Sequence, residues 1–120
     1  MAGEVRLFME SVAIAAVTAD REKIAAADFT PGELAAIAGR RVQTMAGFLA
    51  LKKALVALYG TVAPAIPCRP IDFVLAHRAS GAPYLAFAPP IPGDPLLAVS
   101  VSHTRGWAYG LAALQDAGNG

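Results

Sequence analysis

The stretch AVSVSHTRGWAYGLAAL, residues 98–114, decides how the chain is read. Two apolar runs of strand character flank Ser102-His103-Thr104-Arg105, a cluster of hydrogen-bonding and cationic groups set just before Gly106. Side chains alternate along a strand, so Ser100 and Ser102 fall on one face and Val99, Val101 and His103 on the other. The strand ends at His103-Thr104, and Arg105-Gly106 begins the reversal. Such an end presents an imidazole, a hydroxyl, backbone N–H groups and a guanidinium to an anion. Phosphate is a chemical match, because it accepts several hydrogen bonds and pairs with arginine. The alternative is a polar turn whose residues only satisfy the backbone between two buried strands.

Working outward, residues 96–104 (LLAVSVSHT) and 107–115 (WAYGLAALQ) read as two strands, and 115–120 (QDAGNG) as a frayed tail. The preceding APPIPGDP, 88–95, is too proline-rich for a sheet interior and reads as a surface loop. IDFVLAHRASGAPYLAF, 71–87, is a hairpin candidate that turns at Ser-Gly-Ala-Pro. Further upstream, Val42 to Tyr59 reads as one long helix with apolar residues on more than one face, which makes it central; Gly60 is the expected stop. Before it, Thr30-Pro31 with Glu33 forms a capping-box pattern for a short helix ending near Gly39. A helix capped by Thr18 or Asp20 precedes that. EVRLFMESVAIAAVT, 4–18, reads as a first strand, with a bend near Glu10-Ser11. The sum is an α+β fold in one domain spanning 1–120: an antiparallel sheet with a central long helix.

Bulk properties narrow the function. The chain has 120 residues, of which 56% are hydrophobic and 16% charged, which argues against disorder. The apolar surplus suggests that another subunit covers part of the surface. A net charge of +1 gives no electrostatic basis for a nucleic-acid partner. The single cysteine, Cys68, permits no internal disulfide or cysteine-rich zinc site, and reads as a small, partly buried hydrophobe in a reducing cytoplasm. Residues 54–68 are shorter than a membrane span and carry Pro64 and Pro67, while Glu4 and Glu10 spoil a signal peptide at the N-terminus. The expectation is a soluble protein with no membrane partner.

Other polar residues are less telling. Lys52-Lys53 interrupts the long helix, where adjacent positions point about 100° apart. A solvated helix edge is the default reading and a phosphate contact the sharper one. His77-Arg78 reads as surface, and Trp107 and Tyr109 as core or subunit packing. No HExxH, phosphate-binding loop or nucleophile elbow is present.

Taken in order, the motifs resemble the holo-acyl-carrier-protein synthase group of 4'-phosphopantetheinyl transferases. FTPGEL (29–34) is similar to the family's threonine, two variable residues and glutamate. MAGFLALKKALVALYG (45–60) resembles its Leu-Ala-Gly-Arg-Phe-Ala-Ala-Lys-Glu-Ala helix. GAPYLAF (81–87) resembles its Gly-x-Pro hairpin, and residues 99–114 its Ser-x-(Ser/Thr)-His-Thr strand pair. The resemblance implies transfer of the phosphopantetheine arm of coenzyme A to a carrier-protein serine with magnesium, in homotrimers with sites between subunits. It places Ser102, His103, Thr104 and Arg105 beside the nucleotide of coenzyme A, and Lys52, with neighbouring Lys53, near phosphate.

The departures from this pattern concern the metal. The family's first strand carries Gly-x-Asp with an arginine six residues on; aligning that arginine with Arg21 puts Ala15 at the metal-binding aspartate, and a register two residues earlier puts Ala13 there. Lys53 stands at the helix glutamate, and Phe48 at the helix arginine. Magnesium prefers hard oxygen ligands, which alanine and lysine do not supply. Glu10 or Asp20 could substitute only if the backbone left the family path. No metal ligand is therefore assigned, and the magnesium-dependent reaction is expected to be impaired or lost. Three readings stay open: a transferase with unusual ligands, a non-catalytic module that binds coenzyme A, a nucleotide or a carrier protein, and a structural subunit. Were the reaction retained, a carrier serine would attack the β-phosphate of coenzyme A and release 3',5'-ADP, with His103 as base only by elimination.

Overall fold

Alternation of apolar residues builds strands at both ends of the chain, and the long apolar segment between them becomes the helix on which they pack. The computed structural model describes residues 4–116. In chain order it contains β1 (Val5–Ala13), α1 (Ile14–Ala19), α2 (Arg21–Asp28), α3 (Pro31–Ile37), α4 (Val42–Val62), β2 (Val74–His77), β3 (Pro83–Phe87), β4 (Leu96–His103) and β5 (Trp107–Gln115), with a single 3-10 turn at Pro70–Asp72. The fold is α+β, as the sequence predicts, with an antiparallel sheet and a long central helix. Of the tail, residues 117–120 lie outside the described residues.

Two antiparallel sheets form. β5 lies between β1 and β4 in the larger one, with Ala13 opposite Trp107, Glu10 opposite Gly110 and Ser102 opposite Tyr109. β2 and β3 form a separate hairpin, in which Gly81 takes a φ of +90° to make the turn. Helix α4 crosses the inner face of the larger sheet, burying Phe48, Leu51, Leu55 and Leu58. The approach is close: a Cβ on Gly110 would overlap the main chain of Ala50 and Leu51. Buried Ala108 and Ala112 flank Gly110, so β5 carries a lane of small residues beneath the helix.

Three expectations need correction. Residues 14–19 are helix rather than strand: Ile14 and Val17, three apart, turn inward together, which helical periodicity explains and strand alternation does not. Helix α4 runs through Gly60 to Val62; Gly60 is exposed, and the helix ends with Ala63 N–H donating to the Tyr59 carbonyl. At α2, Asp20 occupies the cap position, but its side chain makes no capping hydrogen bond.

The capping box at α3 forms as expected. Glu33 N–H donates to Thr30 Oγ1 (3.2 Å), and Thr30 N–H donates to Glu33 Oε1 (2.9 Å). Gly39 follows with a φ of +78°. Cys68 is half-buried against the core, and burial, then nearby Asp72, pushes its thiol up. By length and composition α4 could cross a membrane, but two-thirds of its apolar window is buried in this core.

The outer face of the larger sheet is bare. Val5 (57% exposed), Leu7 (65%) and Met9 (64%) alternate along β1, with Leu96 (66%) and Trp107 (48%) on the neighbouring strands. Trp107 is therefore surface, not core, and of its two expected roles only packing against another chain stays open.

Candidate functional site

The two lysines of α4 part company. Lys53 is exposed. Lys52 is fully buried beside Glu33, with Nζ 2.7 Å from Glu33 Oε1. Lys52 Nζ also donates to the Asp28 carbonyl (2.7 Å) and lies 4.5 Å from the centre of the Phe29 ring. Glu33 Oε2 accepts the Leu75 N–H (2.9 Å). One ion pair thus fastens α4 to the end of α2, the start of α3 and strand β2. Burial holds Lys52 below the ordinary lysine pKa, although Glu33 pulls it upward. With Nζ bonded to a carboxylate and a carbonyl, set beside a ring and wholly enclosed, Lys52 is not placed to reach a phosphate. The solvated-edge reading holds for Lys53 and fails for Lys52.

Strand β4 ends at a cleft. A cavity of about 180 Å³ lies between the first half of α4, the end of β4 and the β2–β3 hairpin. Its polar lining is Arg40, Gln43, Thr44, His77, Ser102 and His103, with Phe48 forming part of the wall. The His77 ring stacks on Phe48, with centroids 4.7 Å apart and planes 24° apart. Burial first, and then the Arg40 charge, hold the His77 imidazole below its ordinary pKa. Among the described residues, the lining holds cationic groups, amide and hydroxyl donors and an aromatic wall, and no carboxylate. That chemistry suits an anion carrying a flat or apolar portion.

The structure divides the predicted cluster. Ser102 and His103 line the cleft. Thr104 closes the turn instead: its N–H donates to the Trp107 carbonyl (2.8 Å), and its Oγ1 accepts the Trp107 N–H (3.3 Å). Arg105 is exposed and does not line this cleft. Two residues of the tetrapeptide thus line the cleft, while Thr104 serves the turn and Arg105 lies outside the cleft. Sequence reasoning missed Arg40, Gln43, Thr44 and His77 because three distant segments bring them together. The Arg40-Arg41 pair before an apolar helix was a usable signal.

The donor set does not suit magnesium. Ala13 ends strand β1, whereas Ala15 lies in α1, so of the two registers only the earlier keeps the position within the first strand. Neither alanine carries an oxygen ligand, and Lys53 brings a cation. Glu10 and Asp20 are exposed, the first on β1 and the second between α1 and α2. Among the described residues, no three His, Cys, Asp or Glu side chains gather where they could hold a metal ion.

No family model and no curated protein matches the sequence. Solved structures do match the fold. A Bacillus anthracis holo-(acyl-carrier-protein) synthase, in complex with CoA (3',5'-ADP), superposes with a TM-score of 0.76 at 17% identity, covering 92% of this chain and 96% of that one. A Chronobacterium ammoniagenes synthase–CoA complex gives 0.74 at 20%, covering 94% and 98%. Mycobacterium tuberculosis acyl carrier protein synthase gives 0.71 at 22%, covering 92% and 96%. At these identities the likeness is one of fold, and in fold this chain is similar to the holo-(acyl-carrier-protein) synthases over nearly its whole length.

Proposed function

We propose that this protein binds coenzyme A, or its 3',5'-ADP portion, on a phosphopantetheinyl-transferase fold without carrying out magnesium-dependent transfer at the rate of an active synthase. The observation that carries the proposal is the donor set: cationic and hydrogen-bonding side chains line the cleft, while by resemblance Ala13 and Lys53 take the two positions of the family's metal carboxylates. Bound magnesium would offset pyrophosphate charge and polarise the attacked phosphoryl group, and among the described residues no cluster of acidic, histidine or cysteine side chains would hold it. Phe48 walls the cleft rather than plugging it, which favours a ligand-binding module over a structural subunit with a filled pocket.

In this reading Ser102 and His103 contact the ligand, and exposed Lys53 and Arg105 are available to its phosphates. Lys52 is left out because it is wholly enclosed. A cleft of about 180 Å³ is smaller than the 300–1,000 Å³ usual for drug-sized ligands. One protomer would hold only part of the molecule. The bare face of β1, β4 and β5 supports a homotrimer that completes the site, and a carrier protein in the cytoplasm is the partner the fold suggests.

The test is to incubate the protein with coenzyme A, magnesium and apo-carrier proteins and to follow carrier mass. No phosphopantetheinylation above a low background is expected. Transfer at the rate of an active synthase assayed in parallel would overturn the proposal.

A further inference from the structure

We infer that His77 is a ligand contact whose charge follows occupancy of the cleft: its imidazole, held against Phe48, takes up a proton from solvent when a phosphate group enters beside Arg40. This rests on the coenzyme A reading for the identity of the ligand, but not for the chemistry.

The geometry comes first. His77 is the last residue of β2, paired with Pro83, and its ring stacks on Phe48 from α4. Stacking fixes the ring plane, and among the described residues neither ring nitrogen has a protein hydrogen-bond partner. Both remain available to a guest. Lining the same cleft as the ring are Arg40 from the α3–α4 connection, Gln43 and Thr44 from α4, and His103 from the end of β4. On its own hairpin, Arg78 lies over the Tyr84 ring at 5.0 Å. Among the described residues no carboxylate lines the cleft, so no acidic partner there favours a charged ring.

In the ligand-free protein, burial and Arg40 both keep the ring neutral. An entering phosphate offsets the Arg40 charge, and its own charge and the hydrogen bond it accepts from the protonated ring outweigh the burial that disfavours the cation. Linkage then requires phosphate affinity to rise as pH falls, by up to roughly tenfold for each unit by which the ligand raises the imidazole pKa.

The test uses the whole protein, the His77→Phe and His77→Gln variants, and two probes, inorganic pyrophosphate and coenzyme A. His77→Phe keeps an aromatic ring on Phe48 but cannot titrate. The chain has only two histidines, so comparison with His77→Gln assigns the His77 imidazole NMR signal. Two results are expected: saturating pyrophosphate raises the pKa of that signal, and wild-type affinity gains severalfold over His77→Phe between about pH 7.5 and about pH 5.5. An unmoved signal, or equal pH dependence in both proteins, overturns the inference. If pyrophosphate shifts the signal and coenzyme A does not bind, the inference stands and the coenzyme A reading fails. If neither acts, both fail.

Discussion

Replacing Lys52 with methionine separates a buried structural lysine from a phosphate ligand. Methionine preserves most of the stem volume, so the main loss is the charge. Glu33 then stays buried without its cation, and the Asp28 carbonyl loses a donor. Breaking a buried pair by removing one partner costs about 3–5 kcal/mol. Glu33 keeps the N–H donors of Thr30 and Leu75, which places the expected loss near the lower end, about 3 kcal/mol. At about 4 °C per kcal/mol for a chain of this size, Tm falls by about 12 °C. Urea unfolding followed by circular dichroism measures it. Adding Glu33→Gln removes the stranded charge, so the double variant should be less destabilised than Lys52→Met alone. A Lys52→Met protein within about 1 kcal/mol of wild type, the range for an exposed pair, would refute the buried-pair reasoning.

Three further outcomes are expected. Gly110→Ala drives a methyl into the main chain of α4 and should cost at least about 3 kcal/mol or abolish folding, whereas Gly60→Ala, with open space around it in the helix, should stabilise by up to about 1 kcal/mol; urea midpoints compare the two. His77 has a folded-state pKa below its unfolded value, so its contribution is present above the ordinary imidazole pKa and is lost as pH falls through the folded value. Ligand-free wild type should therefore lose more stability on acidification below about pH 6.5 than His77→Phe does, by thermal melts across that window. Leu7→Asp places a carboxylate in the bare face of β1 and should yield monomers by light scattering where wild type is larger; an unchanged mass would remove that face from the assembly.

What the sequence discloses depends on whether the signal is local. The α3 capping box is legible because Thr30, Pro31 and Glu33 are neighbours, and β4 and β5 because alternation needs only the strand itself. Helix α1 was misread because Ile14 and Val17 follow a genuine strand with no breaker between them. The α4 end was misplaced because glycine weakens a helix without stopping one whose faces are buried. Lys52 and Lys53 are identical in the sequence, and only the helical rotation about a packed axis sends one inward to a glutamate nineteen residues away. The cleft was half legible: Ser102 and His103 announce themselves, while Arg40 and His77 acquire meaning only when the hairpin folds over α4.

The proposed function requires coenzyme A to bind without a metal. Calorimetry of coenzyme A binding, run with magnesium and again with a chelator, tests it most directly. The account predicts binding of equal affinity in both conditions. Binding that disappears with the chelator would contradict it, because metal ligands would then exist that Ala13 and Lys53 do not provide.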